Sequence, residues 1–316
     1  MTTEKERELI HAREWGLVVE DTIETETSVI AFGARHSQSV VLKVIKKPGD
    51  EWRSGEVLAT FEGRGVVRIY EHAPGAVLME RLRPGTSLVD LALNGKDEEA
   101  TDILADVIRR MSTLEDTRQQ PSPRIPSAPT WHPIPDTRYL APGTQNPQTP
   151  ITEPSPIAFP TVQDWAKGFE RYRASGDEQI PKDLLEEGQR IYVELCASQR
   201  QSRLLHGDLQ HYNVLSDSDR GWVAIDPKGV IGEIEYEIGA ALRNPGERPD
   251  LFLSHAVIER RLKQFANKLN LDFNRALAWT FAQAVLSAIW GVEDGFKVDS
   301  MNSALRLAYA IRPMLL

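Results

Sequence analysis

The sequence predicts an α+β protein in two lobes, a small antiparallel β lobe followed by a larger, mainly helical one. Three observations carry this expectation. β-branched runs separated by polar turns occupy the chain up to about residue 80, and amphipathic helical periodicity takes over after Arg83-Pro84-Gly85. The third is length, since 316 residues are many for one compact core and comfortable for two. The expected division is residues 1–82 for the β lobe and 83–316 for the helical lobe, with a proline-rich insertion at about 117–160.

Taken in order, Leu17-Val18-Val19, Val29-Ile30-Ala31-Phe32 and Val40-Val41-Leu42-Lys43-Val44-Ile45 predict the first three strands. A helix is expected from Asp50 to Phe61. Val66-Val67-Arg68-Ile69-Tyr70 and Ala76-Val77-Leu78-Met79 then predict two more strands, with Gly75 in the turn between them. Ile103, Leu104, Val107, Ile108, Met111 and Leu114 recur at three- and four-residue spacing, which predicts an amphipathic helix. Thr161 with Asp164 forms a capping-box pattern, Pro181 suits the first turn of a helix, and Asp272 is placed to cap a long apolar helix through Ile289.

Composition narrows the function. Hydrophobic residues at 41% and charged residues at 26% fit a folded chain, and the net charge of −9 argues against a broad nucleic-acid surface. That sign suits a cationic small-molecule ligand. A single cysteine, Cys196, excludes an internal disulfide framework and a cysteine metal cage. The N-terminus alternates charges, and nowhere do 18 apolar residues run together, so the expectation is a cytoplasmic protein with no membrane partner.

Chemistry concentrates in Leu204-Leu205-His206-Gly207-Asp208-Leu209-Gln210-His211-Tyr212-Asn213 and in the strand Trp222-Val223-Ala224-Ile225 that ends at Asp226. An asparagine five residues after an aspartate, with a second aspartate at the end of the next strand, resembles the catalytic centre of the eukaryotic-like kinase fold. With Gly after the histidine, it resembles the aminoglycoside phosphotransferase branch of that fold. The resemblance implies Asp208 as the base that accepts a hydroxyl proton and Asn213 and Asp226 as magnesium ligands. It assigns His206 and Glu237 to structural support of the catalytic loop.

Upstream, such a fold requires a strand lysine for the nucleotide phosphates and a helix acid to hold it. Lys43 fits the first place and Glu56 the second, ahead of Glu51 and Glu62. Leu78-Met79-Glu80-Arg81-Leu82 occupies the inter-lobe connector, where the backbone of Glu80 and Leu82 would meet the adenine. Two features depart from the pattern. No glycine-rich loop precedes Lys43, the first hairpin reading Glu24-Thr25-Glu26-Thr27-Ser28-Val29, and Asp226 is followed by Pro227-Lys228-Gly229 rather than Phe-Gly.

Ala224-Ile225-Asp226-Pro227-Lys228-Gly229, Gly232-Glu233, Leu242-Arg243-Asn244-Pro245 and Ser287 to Gly295 are similar to the aminoglycoside 6-phosphotransferase and hydroxyurea kinase family. The implied activity is transfer of a phosphoryl group from ATP, or GTP in its place, to a hydroxyl of a streptomycin-like substrate. Glu293 and Asp294 would meet the substrate's cationic groups. A kinase of another hydroxyl compound, or a catalytically silent nucleotide-binding module, are the alternatives. Of the 20 prolines, twelve lie between Pro121 and Pro160, where the chain leaves the family pattern.

Overall fold

The computed structural model of the chain describes residues 4–112 and 159–315. Its first element, α1 (Glu4–Glu14), lies against one face of a sheet. Ala12 of α1 and the following Trp15 and Leu17 pack with Ala31, Val40, Leu42, Val44, Ala76 and Leu78. The alternating charges of this segment gave no amphipathic signal, and the sequence reading assigned it no element.

Strands β1 (Val18–Glu24), β2 (Ser28–Arg35) and β3 (Gln38–Ile45) form an antiparallel meander. The expected helix at 50–61 is a 3₁₀ turn, Asp50–Arg53, running into α2 (Ser54–Phe61). After β4 (Ile69–Ala73) and β5 (Ala76–Glu80) the sheet is complete, in the order β1-β2-β3-β5-β4 with every pair antiparallel. Strand side chains alternate between faces. Val40, Leu42 and Val44 of β3 therefore point toward α1, and Lys43 points to the opposite face. The fourth strand begins later than expected, because Val66 and Val67 leave the sheet. Val66 bridges Ala224 and the Val67 amide donates to the Ala224 carbonyl at 2.8 Å, so this fully buried apolar pair ties the sheet to the strand that ends at Asp226.

Beyond the connector, β6 (Pro84–Ser87) is not part of that sheet. It is followed by α3 (Leu88–Leu93) and α4 (Asp97–Ser112), whose Leu104, Val107, Ile108 and Met111 are buried as their spacing predicts. The proline-dense insertion lies outside the described residues except at its end, where the Pro160 carbonyl accepts from the Ile231 amide at 2.8 Å. In α5 (Val162–Trp165) both halves of the expected capping box form between Thr161 and Asp164. Then come α6 (Lys167–Ser175), α7 (Lys182–Ala197) and four short strands, β7 (Arg203–Leu205), β8 (Val214–Asp217), β9 (Gly221–Ala224) and β10 (Val230–Gly232). β6, β8 and β9 make one small sheet and β7 with β10 another.

Helices α8 (Ile234–Glu237), α9 (Gly239–Leu242), α10 (Pro249–Phe252), α11 (His255–Leu269), α12 (Phe273–Glu293) and α13 (Ser303–Ile311) complete the chain. Asp272 caps α12 as expected, accepting from the Arg275 amide at 3.1 Å. The 21 residues of α12 would suffice in length and composition to cross a membrane, but 67% of its most apolar 18-residue stretch is buried within the protein. Its Trp279 packs edge-on to Tyr192 and Tyr236, each with ring centroids 5.2 Å away. This helix is the axis of the helical core.

Candidate active site

The loop after β7 is held by its backbone. Gly207 sits at φ +81°, and a Cβ there would lie 2.8 Å from the Trp165 ring, so this position requires glycine. Glu237, buried at the end of α8, accepts from the amides of His206 at 2.7 Å and Gly207 at 3.0 Å. Burial pushes its carboxyl up to about 7, against the downward pull of those amides. His206 is fully buried. Its Nδ1 accepts from the Asp208 amide at 3.3 Å, which places the ring proton on Nε2, 2.8 Å from the Ile225 carbonyl. Burial holds that imidazole below its ordinary range, consistent with a neutral ring.

These bonds assemble three of the expected residues. The His206 carbonyl accepts from the amides of Lys228 and Gly229 at 2.9 and 3.0 Å, tying the loop after β7 to the segment after Asp226. Asn213 donates its Nδ2 to the Asp208 carbonyl at 2.9 Å, and its own carbonyl accepts from the Ile225 amide at 2.9 Å. Asp226 itself adopts φ +58°, a left-handed conformation uncommon for a residue with a side chain. Its carboxylate reaches the β sheet, where Oδ1 lies 2.8 Å from Lys43 Nζ.

Lys43 is 5% exposed, and its second partner is Glu51 Oε2 at 2.8 Å. Burial alone would lower the ammonium's pKa, but the carboxylates of Asp226 and Glu51 outweigh it and hold the group above its ordinary range. The pairing with Glu56 expected from sequence is not what the structure has. Glu56 instead receives the Arg53 side chain at 2.6 Å, one turn back on the same segment. The physical reason is the 3₁₀ turn ahead of α2, which brings Glu51 rather than Glu56 to the lysine.

At the connector, the Glu80 amide donates to the Arg68 carbonyl at 3.0 Å. The Glu80 side chain accepts from the Arg68 amide at 2.8 Å and pairs with Arg220. Leu82 is a buried part of the core. The Glu80 N–H is therefore committed within the protein, and among the described residues the Leu82 amide has no hydrogen-bond partner.

Glu293 and Asp294, at the end of α12, line a cavity of about 300 Å³. Asp50 and Asp164 join them, and the walls are Trp165 and Trp290, packed edge-on with centroids 5.3 Å apart. Two cations of the chain occupy its rim. Arg171 donates to both carboxylate oxygens of Glu293 at 2.8 and 3.0 Å. Lys228 lies 3.5 Å from Asp50 and 5.5 Å above the centre of the Trp290 ring. Burial raises the Asp294 carboxyl above its ordinary value, opposed by Lys228 and reinforced by Asp50 and Glu293. Sequence reasoning missed Asp50, Asp164 and Trp165 as cavity residues, because they come from separate elements and form no motif.

His211, in the loop after β7, carries no role in the kinase resemblance. It is 1% exposed, and neither ring nitrogen has a hydrogen-bond partner among the described residues. Burial, with Arg261 adding to it, lowers its pKa to about 3. A folded-state pKa below the unfolded one gives stability that is complete above the ordinary imidazole range and lost as the pH falls through it. Between pH 7 and pH 5 the loss from this group alone is expected to be about 2 kcal/mol. Urea unfolding of His211→Phe at the two pH values should show a difference smaller by that amount; an unchanged difference contradicts the assignment. Glu237 acts with the opposite sign, its contribution fading as the pH rises toward about 7.

Comparison with known proteins gives this geometry a family. A family model described as aminoglycoside/hydroxyurea antibiotic resistance kinase matches residues 16–131 and 137–295. A streptomycin 3''-kinase of Klebsiella pneumoniae is 29% identical over 279 residues, covering 87% of this chain and 88% of its own. A streptomycin 6-kinase of Streptomyces glaucescens is 26% identical, with 81% and 71% covered. A hydroxyurea phosphotransferase of Kitasatospora aureofaciens is also 26% identical, with 84% and 70% covered. Among solved structures, a choline kinase from Streptococcus pneumoniae has a TM-score of 0.56 at 12% identity, covering 98% of this chain and 97% of its own. An aminoglycoside phosphotransferase crystallised with ADP and hygromycin B also gives 0.56, at 15% identity with 99% and 98% covered. Those two likenesses show the fold, the two-lobed protein-kinase-like one. Since the family match runs through both the lysine-bearing sheet and the loop of His206 to Asn213, the chain belongs to the aminoglycoside/hydroxyurea antibiotic resistance kinases and is a phosphotransferase.

Proposed function

We propose that the protein transfers the γ-phosphoryl group of ATP to a hydroxyl of a cationic, streptomycin-like aminoglycoside. In this reading residues 1–82 form the nucleotide lobe and 83–316 the catalytic and acceptor lobe. The observation that carries it is the Lys43–Asp226 ion pair at 2.8 Å, which joins the central strand of the sheet to the strand-end aspartate beside the catalytic loop. Lys43, kept charged by its two carboxylates, is suited to hold nucleotide phosphates as a point charge. Asp208 is the base: it accepts the proton of the acceptor hydroxyl as that oxygen forms its bond to phosphorus and the bond to the ADP oxygen breaks.

Asn213 and Asp226 are suited to hold magnesium. Asn213 spends its Nδ2 on the Asp208 carbonyl, which fixes the amide and leaves Oδ1 as a hard acceptor. Among the described residues no group of three or more His, Cys, Asp or Glu could hold a metal, so the remaining ligands would be phosphate oxygens and water, as is common for this ion. When bound, magnesium neutralises charge on the phosphate oxygens. The connector backbone at Leu82, whose amide has no hydrogen-bond partner among the described residues, is the group suited to the adenine edge.

The acceptor cavity supports the cationic substrate. Four carboxylates and two tryptophan rings face it; Arg171 pairs with Glu293, Lys228 with Asp50 and Lys167, from outside the lining, with Asp164, which leaves Asp294 as the one carboxylate without an ion pair among the described residues. The unpaired carboxylate of Asp294, beside three acids whose lysine and arginine partners a ligand's cations could replace, favours a cationic aminoglycoside over a small neutral acceptor such as hydroxyurea. Two measurements test the reading. Wild-type ADP release should be stimulated by streptomycin-like compounds in a panel of hydroxyl acceptors, and no stimulation across the panel would overturn it. Glu293→Gln combined with Asp294→Asn should raise KM for the acceptor roughly tenfold, with KM for ATP unchanged. Unchanged acceptor KM would remove both residues from recognition.

A further inference from the structure

The Asp208 carboxylate is itself held by a cation from the helical lobe. Arg243 follows α9, its side chain 14% exposed, and its Nη2 donates to Asp208 Oδ1 at 3.1 Å. Its Nη1 donates to Gln283 Oε1 at 3.2 Å. Among the described residues no other side chain pairs with the Asp208 carboxylate. Gln283 is buried in α12, and space is made for it: a Cβ at Gly239 of α9 would lie 2.0 Å from Gln283 Oε1. On the same helix, Trp290 of the acceptor cavity stands about two turns beyond Gln283.

We propose that Arg243 is a positioning residue for the transfer, holding Asp208 by one oxygen so that the other is presented to the acceptor hydroxyl. Gln283 fixes the guanidinium in turn. The planar fork of arginine can satisfy the carboxylate and the amide together, which the single point charge of a lysine does less well. A carboxylate free to rotate about its side-chain bonds would lose the near-attack geometry on which phosphoryl transfer depends. The helix that lines the acceptor cavity through Trp290 and Glu293 thereby also sets the orientation of the catalytic carboxylate. This role rests on the proposed function, since it requires Asp208 to be the base.

Steady-state kinetics of Arg243→Ala, Arg243→Lys and Gln283→Met, with ATP and streptomycin, test it. In Arg243→Ala, kcat is expected to fall about 10²-fold while both KM values stay within about threefold. Arg243→Lys should lose about tenfold in kcat and Gln283→Met a similar amount, again without a change in KM. Added guanidinium ion at low millimolar concentration should restore part of the Arg243→Ala rate and leave wild type unaffected. An unchanged kcat in Arg243→Lys overturns the role, and so does a rise in either KM with kcat intact, which would make Arg243 a binding residue. If Arg243→Ala does not fold, Arg243→Lys decides alone. A wild type that turns over no acceptor removes the function and this role with it. An active wild type with unaffected variants removes the role only.

Discussion

Asp208→Asn is expected to lower kcat by about three orders of magnitude, with KM for ATP within about threefold of wild type. Asparagine has the same shape, and the bonds that build the loop are made by the Asp208 backbone, from its amide to His206 and from Asn213 to its carbonyl. The substitution therefore removes the proton acceptor and the pairing with Arg243 while leaving the loop's frame in place. Steady-state rates, with a thermal melt to confirm the fold, measure this. A variant within tenfold of wild type would mean that Asp208 takes no proton.

The second large effect is expected at Lys43. Lys43→Met should reduce kcat/KM for ATP by roughly 10²- to 10³-fold, the usual cost of losing one organised charge at a phosphoryl site. The neighbouring acids separate the structure's pairing from the one expected from sequence. Glu51→Gln removes one of the lysine's two partners and should cost about tenfold in the same parameter. Glu56→Gln breaks only the pair with Arg53, partly exposed on its own segment, and should stay within about twofold. Equal effects at positions 51 and 56, read from kcat/KM for ATP, would contradict the lysine's assigned partner.

These two residues also show why parts of the site were legible in the sequence. Asp208, Asn213 and Asp226 fall within one short stretch of chain, where the chemistry fixes residue type and spacing together. Lys43 stands out because the kinase resemblance calls for a strand lysine and the apolar run Val40 to Ile45 carries one, which the structure brings to Asp226. Its acid was misplaced because a 3₁₀ turn and a first helical turn look alike in composition, yet they direct a side chain differently. Position 66 is a similar case: β-branched Val66 and Val67 carry strand propensity, but their pairing is to Ala224 outside the sheet.

The rest is tertiary. Asp50, Asp164, Trp165 and Trp290 share a cavity although they lie in three distant parts of the chain, and no local pattern announces that meeting. Arg243 lies in the family-like stretch Leu242-Arg243-Asn244-Pro245, but its reach to Asp208 depends on the small residues of α9 and on Gln283 from another helix. The charge of −9 suits a cationic ligand, but it does not say which acids would meet one.

The proposed reaction is phosphorylation of an aminoglycoside hydroxyl with Asp208 as the proton acceptor. Its most direct test is ³¹P NMR of the product formed from ATP and streptomycin by the wild-type protein. The expected result is a phosphate monoester resonance on the aminoglycoside, growing in step with ADP and absent with Asp208→Asn. ADP and inorganic phosphate accumulating with no ester signal, or an ester that forms equally well with Asp208→Asn, would contradict it.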